Sequence, residues 1–140
     1  MKDRSRPRVV GGVVAIVAIA AIAIGLLLIG SPAEERRRRL DERRVEDLAS
    51  IARAVDLYWT RHASLPSSLD DLRKEPGADV SSLDPSTSDS YEYRPLQSEA
   101  FELCAQFEQA SGQAAGTLGN GFWSHGVGRQ CFRREAQKTT

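Results

Sequence analysis

Histidine and cysteine each occur only twice in this 140-residue chain, and that scarcity excludes much chemistry at once. Cys104 and Cys131 lie too far apart for a zinc knuckle or a CxxC redox pair, and an even count suits one disulfide. His125 has no Glu, Asp or Cys at ligand spacing, and its adjacency to Ser124 defines no triad geometry. His62 ends an apolar helical stripe, where a ring tip at the edge of a core is the commoner role. Gly119, Gly121, Gly126 and Gly128 are followed by no Lys-Ser/Thr at phosphate-loop spacing, so they form no phosphate loop. Lys+Arg and Asp+Glu are 19 each, and a net charge of +0 supplies no overall field for nucleic acid. No internal repeat is visible. The chain is therefore read as a non-enzyme without a nucleic-acid partner.

Charge is also missing locally. Residues 9–30 carry no charged side chain, and a run of that length in helix spans about 30 Å, the thickness of a bilayer's hydrocarbon core. The expectation is a single transmembrane helix. Lys2, Arg4, Arg6 and Arg8 before it could instead be the n-region of a cleavable signal peptide, with small residues at Ser31-Pro32-Ala33. The run exceeds the usual 7–15 residues of such a segment, which favours an uncleaved anchor. Arg36, Arg37, Arg38, Arg39, Arg43 and Arg44 follow the run, and counted alone they place the remainder in the cytoplasm. Six interleaved acidic residues and the cysteine pair argue for the exterior. The expected location is a bacterial inner or plasma membrane, single-pass, with the C-terminal domain periplasmic or extracellular and membrane lipid as one partner.

Glycine and proline are absent between Ala33 and His62, a composition that favours helix. Ser31 and Glu34 have capping-box spacing, with Pro32 at a tolerated first-turn position. The first half of this helix reads as a solvated face with i,i+4 pairs such as Glu34 with Arg38. In the second half Val45, Leu48, Ile51, Ala52, Val55, Tyr58, Trp59 and His62 step by three and four into one stripe, with Arg53, Asp56 and Thr60 mostly off it. Leu48, Ile51, Val55 and Trp59 are the expected core spine. Residues 65–72 read as a short helix stopped by Glu75-Pro76-Gly77. Strands are expected at residues 91–95, at 101–107, where Phe101, Leu103, Ala105 and Phe107 share a face, and, after a Gly-rich linker over 109–121, in a last strand made by Phe122-Trp123 and residues 129–132. Long helix first and antiparallel strands later is the α+β pattern. The resulting divisions are a basic tail (1–8), the apolar helix (9–30), the spine helix (31–62), a short helix, loop and sheet (63–133), and a tail (134–140). Cys104 and Cys131 are expected to bond and tie the last strand to the 101–107 strand; two separate buried thiols are the alternative.

The order of these pieces resembles the pilin-like proteins, type IV pilins and the pseudopilins of type II secretion systems. The residues that carry the resemblance are Asp47-Leu48, Ile51, Ala54 and Tyr58 on the long helix, then Leu65-Pro66-x-x-Leu69-x-x-Leu72, Asp84-Pro85, Tyr91-x-Tyr93 and Phe101-Glu102-Leu103-Cys104-Ala105. The chain departs from the prepilin pattern: Val13 follows Gly12, and Val17 stands where a Glu would be the fifth mature residue. The resemblance implies a membrane-anchored structural or interaction protein of a secretion or pilus-type assembly, with protein partners that include other pilin-like subunits. A membrane-tethered binding or sensory module is the alternative. The resemblance also brings calcium into view as the one candidate cofactor, with Asp84 and Asp89 as candidate ligands. No regular calcium-ligand spacing is present, and solvated loop carboxylates are the commoner reading.

Overall fold

The computed structural model of the chain describes residues 6–29, 31–111 and 121–139. Helices α1 (Arg6–Ile29), α2 (Pro32–His62) and α3 (Leu69–Lys74) precede strands β1 (Glu92–Pro95), β2 (Ala100–Phe107) and β3 (Gly128–Glu135). The chain divides into two compact units, Met1–Arg36 and Arg37–Thr140.

In the first unit, α1 carries apolar side chains on every side, and Val10, Val13, Val14, Ile16, Val17, Ile19, Ile22 and Ile24 are 55–68% exposed. The expected membrane span is corrected here: among the described residues no helix is long and apolar enough to cross a membrane. The single-pass anchor and the membrane location that rested on that span are corrected with it. Ser31 sits between the two helices. Its Oγ accepts the Glu34 N–H at 3.2 Å, and its own N–H donates to Glu34 Oε2 at 3.4 Å, so the expected capping box opens α2.

The second unit is built on the rest of α2. The three strands form one antiparallel sheet in the order β1-β2-β3. Alternation along β2 turns Phe101, Leu103, Ala105 and Phe107 to one face, where they join Leu48, Ile51, Ala52 and Val55 of α2 in a single core with Leu72, Tyr91 and Phe132. Trp59 packs against this core while remaining partly exposed. Ala63, at φ 51°, takes the left-handed conformation that ends α2, and its N–H donates to the Trp59 carbonyl at 2.9 Å. The Asp71 carboxylate accepts the N–H groups of Ser67 and Ser68 at 3.1 and 3.2 Å, which fixes the start of α3. Phe122-Trp123, expected to contribute to the last strand, lies in a turn ahead of β3. Most of the linker expected over 109–121 lies outside the described residues.

Candidate functional site

Three groupings in the second unit bring polar or aromatic side chains together. The first is buried. Arg44, 2% exposed, points from α2 at two carboxylates. Its Nε and Nη2 donate to Asp84 at 2.6 and 3.2 Å, and its Nη1 donates to Asp41 at 2.7 Å. Asp41 also accepts the N–H groups of Glu108 and Gln109, which start the chain beyond β2. Asp84 accepts those of Ser86 and Thr87, which shape the Asp84-Pro85 turn. One guanidinium thus clamps helix, turn and strand end together. Burial pushes the Asp84 carboxyl up, but Arg44 and the two N–H groups outweigh it and hold it below the ordinary range. Burial lowers the Arg44 pKa, but its bonds to Asp84 and Asp41 outweigh that and raise it, so the group is charged at every relevant pH. Asp84 therefore spends its carboxylate on Arg44, the position a calcium ion would need. Asp89 is exposed and contributes its backbone carbonyl to the Asp84 N–H at 2.8 Å.

Two neighbouring carboxylates are also held internally. Asp47 accepts the Tyr91 hydroxyl at 2.8 Å. Asp56 accepts the Gln137 N–H at 2.9 Å and Arg134 at 3.3 Å, tying the C-terminal tail to α2. Burial pushes both carboxyls up. Asp56 is 4% exposed, contrary to its expected place off the stripe. Among the described residues every buried side-chain nitrogen and oxygen has a partner. None of these groups was legible as buried from the sequence. The partners of Arg44 and Asp41 lie 40 and 67 positions away, and within a charged helix they look like any solvated pair.

The second grouping is the outward face of the sheet. Cys104 and Cys131 are register partners on β2 and β3 and form a disulfide, with Cα atoms 4.1 Å apart. Cys104 is buried and Cys131 exposed. Arg129 makes a two-pronged ion pair with Glu92 at 2.9 and 2.7 Å, which holds the Glu92 carboxyl below its usual range.

The third is aromatic. Phe107 stacks on the His125 ring with centroids 3.6 Å apart, and Phe122 and Trp123 gather around Phe132. Ser124 Oγ meets Ser111 Oγ at 3.2 Å, while His125 Nδ1 faces the Gly126 carbonyl. The Ser-His neighbours therefore make no mutual catalytic contact. His62 contacts Glu75 at 2.9 Å and packs beside the Tyr58 ring. No protein-family profile matches the chain, and no curated protein or solved structure matches it significantly.

Proposed function

We propose that the chain is a pilin-like structural and interaction module of a multiprotein assembly, working by packing against other chains rather than by catalysis. The carrying observation is α1, where eight Val and Ile side chains stand more than half exposed. Uncovered apolar surface on this scale marks a contact with other molecules. Two further features support the reading. The buried side-chain polar groups described in the second unit all have hydrogen-bond partners, and Phe122 and Val127, at 43% and 66% exposure, offer a second apolar contact. The long helix followed by an antiparallel sheet is the architecture that the pilin-like resemblance implies.

The test is a photo-crosslinking side chain placed at Val17, and separately at Phe122, in the full chain expressed in cells. Discrete protein adducts at Val17, absent when the probe replaces solvent-facing Arg53, are the expected result. A Val17 probe that captures no protein overturns the reading.

A further inference from the structure

The outward sheet face holds a donor set that the proposed packing role does not use. A Glu102 carboxylate oxygen and the sulfurs of Cys104 and Cys131 all lie within 4.8 Å of one another. The fold dictates this grouping. Cys104 and Cys131 are direct cross-strand partners, and Glu102 lies two residues before Cys104, so the pleat turns it to the same face. As a disulfide the sulfurs cannot serve as thiolate ligands. As a dithiol they are soft, anionic donors of the kind that bind zinc and its congeners.

We propose that in the dithiol state this face binds one thiophilic divalent cation, with the Cys104 and Cys131 thiolates and the Glu102 carboxylate as ligands and water in the fourth position. Metal–sulfur bonds of about 2.3 Å and metal–oxygen bonds of about 2.0–2.2 Å in a tetrahedron place neighbouring ligand atoms roughly 3.5–3.8 Å apart. That spacing fits inside the observed cluster once the sulfurs separate. Exposed Cys131 leaves the water position open and supplies the route of entry.

The charges around the site act in both directions. Arg129 Nη2 lies 3.5 Å from Cys104 Sγ and favours the thiolate a metal needs, while its own charge is offset by Glu92. Arg94 and Arg133 are the register partners of Glu102 and share its face of the sheet. The state change balances. An external dithiol gives two electrons and two protons, its sulfurs join as a disulfide, and the Cys104–Cys131 bond opens to two thiols. The cation then displaces the two protons.

The experiment uses the full chain, reduced with a phosphine and freed of metal, titrated with Cd²⁺ under the near-ultraviolet thiolate charge-transfer band and then displaced with Zn²⁺. The expected result is a saturable one-to-one endpoint in the reduced protein and none in the oxidised protein. Glu102→Gln leaves both cysteines in place and should weaken binding about tenfold or more, since loss of even an outer-shell partner costs about 10–100-fold. Zn²⁺ should also raise the thermal midpoint of the reduced protein by several degrees, since it closes the same loop. Reduced protein with no one-to-one endpoint overturns the proposal. Equal affinity in Glu102→Gln overturns the ligand set.

Discussion

Helices α1 and α2 invert the usual relation between composition and burial. The apolar helix exposes Val and Ile side chains over residues 10–24, whereas the charged one buries Asp41, Arg44 and Asp56 to 4% exposure or less. Burial is settled by the partner each side chain meets. The Val and Ile side chains over 10–25 stand exposed, while α2 has a sheet opposite its apolar stripe and a turn that brings Asp84 to Arg44. The contrast repeats inside α2. Arg38 pairs with Glu42 at 3.4 Å with both side chains about half exposed, and six positions later Arg44 makes its contacts at 3% side-chain exposure. Residue type and helix are the same; only the surroundings differ.

That comparison breaks most directly at Arg44. Arg44→Met fills similar volume but leaves Asp41 and Asp84 buried beside no cation, and removing one member of a buried ionic cluster costs about 3–5 kcal/mol. The measurement is urea unfolding of the full chain followed by the fluorescence of Trp59 and Trp123. A cost within about 0.5 kcal/mol would mean that the clamp is not buried and that the two arginines are alike.

How much of this could be read beforehand depends on where each partner lies. Leu48, Ile51 and Val55 announce their burial through spacing within a few turns, and alternation over 101–107 announces the core-facing strand. Both are local signals, and both elements are present. The Ser31–Glu34 cap is equally local. The clamp is not, because nothing near Arg44 in the chain distinguishes it from Arg43, which is exposed. The membrane span failed for the converse reason. Residues 9–30 read as one uninterrupted apolar run, whereas no helix among the described residues is long and apolar enough to cross a membrane.

Arg38→Ala sharpens the same comparison from its weak side. An exposed i,i+4 pair contributes about 0.3–0.5 kcal/mol and is screened by salt. The expected loss is of that size at low ionic strength and is halved or less in 1 M salt. Loss above about 1.5 kcal/mol, unchanged by salt, would place Arg38 among the clamped residues.

Asp47→Asn should change least, and the sign of the change is the informative part. Burial raises the Asp47 carboxyl, the charges of Glu46 and Asp84 raise it further, and the Tyr91 hydrogen bond and Arg43 only partly offset this. The folded state therefore takes up a proton more readily than the unfolded chain, whose value is about 3.8. Stability from this group falls as pH rises from 3.8 through the folded value, and at neutral pH the full penalty is present. Asparagine keeps an acceptor for the Tyr91 hydroxyl and carries no charge, so it removes the penalty while weakening one hydrogen bond. The expected outcome is a stability within about 0.5 kcal/mol of the parent at pH 7, on the favourable side, with the difference vanishing below about pH 4. Asp84 has the opposite sign: its lowered carboxyl contributes stability above 3.8 that is lost as pH falls through the folded value. Acid unfolding should therefore survive unchanged in Asp47→Asn. Urea midpoints from pH 3 to pH 7 decide the matter. A loss of 1.5 kcal/mol or more at neutral pH would mean that Asp47 holds Tyr91 as a charge, in the way Asp84 holds Arg44, and that α2 carries a second clamp.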